Sequence, residues 1–107
     1  MDARNTISMT FRASGGEAVA ALEEAARRAG MQHLSSDAVT GIFVFTAGRL
    51  VLSAGEKVTA RIHEVVPGTV EVTLSSNLQF GLGNVGAGGV GRDRMGEALG
   101  QLLPPAT

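Results

Sequence analysis

From Glu56 to Ser75, apolar and polar residues alternate on both sides of Pro67-Gly68. Before the break Val58, Ala60 and Ile62 point one way and Lys57, Thr59, Arg61 and His63 the other. After it Val70, Val72 and Leu74 oppose Glu71, Thr73 and Ser75. A two-residue period is the repeat of a half-buried strand, and Pro-Gly makes a turn, so the segment is a hairpin with one face inward. Its register is constrained as well. A plain two-residue loop that pairs Val66 with Thr69 would oppose Ile62 to Thr73 and put the apolar sets on opposite sides. Cross-strand partners share a face. An odd-length loop or a bulge is therefore required, setting Ile62 against Val72, Ala60 against Leu74 and His63 against Glu71.

The remaining elements follow from the same kind of pattern. Residues 6–12 alternate Ile7, Met9 and Phe11 with Thr6, Ser8, Thr10 and Arg12, which predicts a strand. Ser14 and Glu17 have the spacing of a capping box, in which each residue satisfies an orphan amide of a helix start. The helix expected over 15–29 carries Val19, Leu22, Ala26 and Ala29 at helical spacing and ends at Gly30, a natural left-handed position. Met31, His33 and Ser35 are expected on one face of a weaker strand, and Asp37 to Gly41 supply a turn. Ile42 to Thr46 read as a strand apolar on both faces, and residues 49–53 as another short one. Met95, Leu99, Leu102 and Leu103 mark a helix over 93–103, with Gly96 and Gly100 inside it, each costing about 1 kcal/mol relative to Ala. Pro104-Pro105 ends it. That pair of glycines is expected to let the helix lie close against the rest of the chain. The fold class is α+β: an antiparallel meander sheet of about five or six strands with two helices packed on one face. Residues 1–107 form one domain, with an ordered core over 6–103.

Residues 81–91 read GLGNVGAGGVG, with two literal G-x-G-x-x-G matches. A dinucleotide fingerprint needs a second parallel strand ending in an acidic residue about 20 residues on. Sixteen residues follow Gly91, with no acidic one after Glu97. Nor is there a Gly-Lys-Ser/Thr. The run is therefore first a connector from strand to helix. A rival reading treats it as an anion cradle for phosphate, sulfate or carboxylate, using amides of Gly86, Gly88, Gly89 and Gly91 with Arg92 and Arg94. His63, Arg61 and Glu71 are expected to meet on the polar sheet face. A histidine–carboxylate pair can serve as a general base, but a flat face supplies neither nucleophile nor cleft, and solvated cross-strand pairing is the expected role. No catalytic residue is assigned.

Composition narrows the classes further. The chain has no cysteine, which excludes disulfides and thiolate chemistry, and its two histidines, His33 and His63, suggest no metal site. No cofactor is expected. A net charge of −1 and four phenylalanines as the sole aromatics argue against nucleic acid as a partner. No apolar run reaches the roughly 20 residues of a membrane span, and the start lacks a signal-peptide pattern, so a cytoplasmic location is expected.

Several short motifs occur together: Gly30, Asp37-Ala38-Val39-Thr40-Gly41, Ser53-Ala54-Gly55-Glu56, Pro67-Gly68-Thr69-Val70, and the glycines from Gly83 to Gly91. In these, over about residues 9–103, the chain resembles a loose group of small uncharacterised bacterial α+β domains, from which it departs by its glycine-heavy loop and lack of tryptophan. The resemblance implies a fold and no catalytic set. The expected function is non-enzymatic: binding a protein partner, or a second copy of the chain as a homo-oligomer. The alternative is the small-anion binder at 81–94.

Overall fold

The computed structural model describes residues 5–46, 56–78 and 89–106. Within them the chain order is β1 (Thr6–Arg12), α1 (Gly15–Arg28), β2 (Gln32–Asp37), β3 (Ile42–Thr46), β4 (Glu56–Val66), β5 (Thr69–Leu78) and α2 (Val90–Leu102). The strand expected over 49–53, and the run from Gly81 to Gly88, lie outside the described residues. The five strands form one antiparallel sheet in the order β1-β5-β4-β3-β2, so the first strand closes beside the last, and β1 and β2 are its edges.

The β4–β5 hairpin solves its register conflict with a bulge. Val66 pairs with Thr69 across the two-residue turn, and a shift between Glu64 and Val66 leaves Val65 as the extra residue. Ile62 then meets Val72, Ala60 meets Leu74 and His63 meets Glu71, and the apolar set points to one side. That side is the core. Val58, Ala60, Val70, Val72 and Leu74 are fully buried, with Phe11, Phe43 and Phe45 beside them.

Helices cover this one face. α1 begins with the capping box: the Glu17 amide donates to Ser14 Oγ at 3.1 Å, and the Ser14 amide donates to Glu17 Oε1 at 2.9 Å. Its buried face is Ala18, Ala21, Leu22, Ala25 and Ala26. Val19 and Ala29, expected on that stripe, are only partly buried. Small side chains let the helix sit low on the sheet. It closes with a Schellman turn around Gly30 (φ +76°), in which Met31 N–H donates to Ala26 O and Gly30 N–H to Arg27 O. Glu24 accepts from Arg27 at 2.6 Å and Arg28 at 2.9 Å, which lowers its carboxyl to about 2. The contribution of this cluster to stability is complete above the ordinary glutamate value and is lost as pH falls toward 2.

β2 departs from the simple alternation. A register shift between His33 and Ser35 makes Leu34 a bulge, so His33 pairs with Phe45 and Ser35 with Val44. Neighbours along β3 face opposite ways, so His33 and Ser35 do not share a face. The bulge moved one of them. α2 starts three residues earlier than its apolar pattern indicates, and its two inner glycines differ. A Cβ on Gly96 would stand 3.0 Å from Ile7 Cδ1, so the helix at that point rests against side chains of β1, whereas nothing lies within 4 Å of a Cβ on Gly100. Of that pair, the close-packing role belongs to Gly96. After α2 the tail turns back along β1: Arg12 N–H donates to Pro104 O at 2.8 Å, and Ala106 N–H to Thr10 O at 3.1 Å.

These contacts separate the glycines by experiment. Gly100→Ala is expected to stabilise the fold by about 0.5–1 kcal/mol, as an exposed helical Gly→Ala change does. Gly41 has φ +73°, and a Cβ there would lie 2.5 Å from the Ile62 carbonyl oxygen. Gly41→Ala is expected to cost about 2 kcal/mol or more. Urea denaturation of both variants checks the opposite signs.

Candidate functional site

The alternation of β4 places Glu56 in phase with Val58, Ala60 and Ile62, and that of β5 places Ser76 in phase with Val72 and Leu74. Both polar side chains therefore point into the apolar face, and both are buried. A buried carboxyl group needs hydrogen-bond donors. Glu56 finds four. Ser76 Oγ donates to Oε2 at 2.5 Å, Gly89 N–H to Oε2 at 3.1 Å, Gly91 N–H to Oε1 at 2.7 Å, and Arg92 N–H to Oε2 at 3.2 Å.

The last three donors are orphan amides at the start of α2. Gly89 is its N-cap, left-handed at φ +104°, and it has no side chain to cap the helix. Glu56, 33 residues earlier in sequence, supplies the missing acceptor from the sheet. The geometry suits the chemistry: a carboxylate against the positive end of a helix dipole, held by charge-assisted bonds. Gly91 has to be glycine for the carboxylate to approach. A Cβ there would stand 2.8 Å from Glu56 Oε1 and 2.7 Å from Met31 Sδ. Among the described residues, no buried side-chain polar atom lacks a partner.

The residues of the expected anion cradle are distributed as follows. Gly86 and Gly88 lie outside the described residues. The amides of Gly89, Gly91 and Arg92 converge on one point, and the carboxylate of Glu56 stands at that point. Arg92 Nε donates to Asp93 Oδ1 at 3.0 Å. Arg94 is exposed and lines a shallow groove of about 330 Å³ with Arg28, Glu97, Ala98 and Gln101. The sequence reading picked out the amides and missed their acceptor. The available signal was phase: Glu56, Glu64 and Ser76 are the polar residues in step with the apolar set of the hairpin, and of the three Glu56 and Ser76 are buried.

His63 and Glu71 do face each other across the sheet. His63 is exposed at the wall of an open groove between the 38–41 turn and Arg61–Glu64, while Glu71 does not line that groove. Among the described residues, no group of three histidine or acidic side chains is placed to hold a metal ion, and no helix is long and apolar enough to cross a membrane. No family model matches the chain, and a search of curated proteins returned no match.

Removing the clamp tests its weight. Glu56→Ala strands Ser76 Oγ and three helix amides and is expected to cost about 3–5 kcal/mol, as does removal of one partner from a buried charged contact. Glu56→Gln keeps the size but turns an amino group toward donors, and about 2 kcal/mol is expected. For a domain of this size that lowers Tm by roughly 8–16 °C in calorimetry.

Proposed function

We propose that this chain is a non-enzymatic interaction domain that binds a protein partner, or a second copy of itself, along the outer edge of β2. The observation that carries this reading is the state of that strand. Among the described residues, β2 stands at the end of the sheet order, all six of its residues are exposed, and only its inner side is paired, with β3. Leu34 on its bulge is 58% exposed and Val39 in the following turn 94% exposed. An unpaired strand edge offers main-chain donors and acceptors to an extended segment, and apolar side chains beside it add affinity. The bulge breaks the edge after a few residues, which suits a short added strand and disfavours endless stacking.

The rival reading, a small-anion binder, draws support from Arg28 and Arg94 sharing one groove. At the helix start itself, an incoming anion has to displace Glu56. A thermal-shift series with phosphate, nucleotides and carboxylates separates the two readings. A bound anion at 100 times its Kd adds about 2.7 kcal/mol, and Arg92→Ala/Arg94→Ala should abolish that gain.

The edge reading is tested by amide hydrogen exchange, on the chain at rising concentration and with extended peptides selected for binding. Association is expected to slow exchange across residues 32–37. Leu34→Lys/Val39→Lys is expected to weaken it at least tenfold, about 1.4 kcal/mol. Association that leaves 32–37 exchanging as in the free chain, unchanged by the double substitution, would overturn it.

A further inference from the structure

The opposite edge of the sheet is treated differently. Arg12 N–H donates to Pro104 O, Ala106 N–H donates to Thr10 O, and Phe11 forms an antiparallel bridge with Pro105. The tail is thus a short strand laid on β1, running antiparallel to it. These bonds also identify which backbone groups of β1 point outward. By the two-residue repeat they belong to Thr6, Ser8, Thr10 and Arg12, while Ile7, Met9 and Phe11 turn theirs toward β5. Among the described residues, the tail covers only Thr10 to Arg12. Its own outer side is blunted, because Pro105, between the two bonded residues, has no N–H to offer a further strand.

The covered edge is complementary to itself. Two copies of β1 aligned antiparallel about Met9 place Ile7 against Phe11 and Met9 against Met9 on the helix side. On the open side they place Ser8 against Thr10 and Thr6 against Arg12. Apolar meets apolar, hydroxyl meets hydroxyl, and no like charges oppose. The outward groups of Thr6, Ser8, Thr10 and Arg12 fall opposite one another, as an antiparallel ladder requires.

We propose that the outer edge of β1 is a self-pairing surface for a second copy of this chain, and that the tail Pro104–Ala106 is the guard that keeps it closed. While the tail is seated, β1 retains too short a bare stretch to pair. Displacement of the tail frees the full Thr6–Arg12 edge, and two sheets join through it.

Truncation after Leu103 tests this, made in a Leu34→Lys/Val39→Lys background so that any contact through β2 is silent. The full-length chain in that background is expected to be a monomer by light scattering, and the truncated chain a dimer at the same concentration. Ala106→Pro, which removes only the amide that donates to Thr10, is expected to shift the balance the same way to a smaller degree. It replaces the truncation if that chain fails to fold. Ser8→Pro deletes an outward N–H and the exposed Ser8 Oγ–Thr73 Oγ1 hydrogen bond but no backbone bond to β5, and it should return the truncated chain to a monomer. If Ser8→Pro prevents folding, exchange of the Thr6 and Ser8 amides decides: slow in the dimer supports β1 pairing, unchanged from the monomer overturns it. A folded truncated chain that stays monomeric, or a dimer indifferent to Ser8→Pro, also overturns the proposal. Neither result bears on β2.

Discussion

The carboxylate of Glu56 joins the sheet to the second helix. It gathers Ser76 from β5 and three amides from the start of α2 at one buried point. α2 is poorly provided for by its own sequence, with a left-handed glycine at its N-cap and three more, Gly91, Gly96 and Gly100, inside. Such a helix depends on tertiary contacts for its stability. Glu56 fixes where it begins, Gly96 fixes how closely it lies on β1, and Leu99 and Leu103 bury its far end. The tail that follows is then delivered to the edge of β1. The interaction thus organises one whole flank of the domain, and the same bonds occupy the amides that would otherwise form an anion site.

The two edges of the sheet contrast in the same terms. β1 carries regular alternation and an unbroken ladder to β5, and its Thr10–Arg12 stretch is covered by a prolyl tail. β2 carries a bulge and a row of exposed residues, and among the described residues its outer side has no neighbour in the sheet. An open antiparallel sheet has two edges to protect. Among the described residues one is covered in part by the tail and the other is broken by a bulge, and that asymmetry is the ground for the proposed use of β2.

Legibility in the sequence tracked the distance over which each feature is decided. The capping box at Ser14 and Glu17, the turn at Gly30 and the pairing of Ile62 with Val72 were all open to inspection. Each depends on residues within one element or one hairpin. The bulge in β2 was not, because Leu34 is displaced to suit β3, and a six-residue polar strand carries little periodicity of its own. The glycines of α2 looked equivalent as an i, i+4 pair. Only the position of Ile7, far away in sequence, distinguishes Gly96 from Gly100.

By itself the sequence determined the α+β class, the limits of most elements and the hairpin register, since a two-residue or 3.6-residue repeat and a helix cap are short-range properties of a chain. Tertiary structure decided what the polar residues in those elements do. Glu56 is one strand residue among many until the helix start arrives 33 residues later to receive it, and the amides beside Gly91 remain a potential anion site until Glu56 fills it. A buried charge acquires its role from the donors that converge on it, and that convergence exists only in three dimensions.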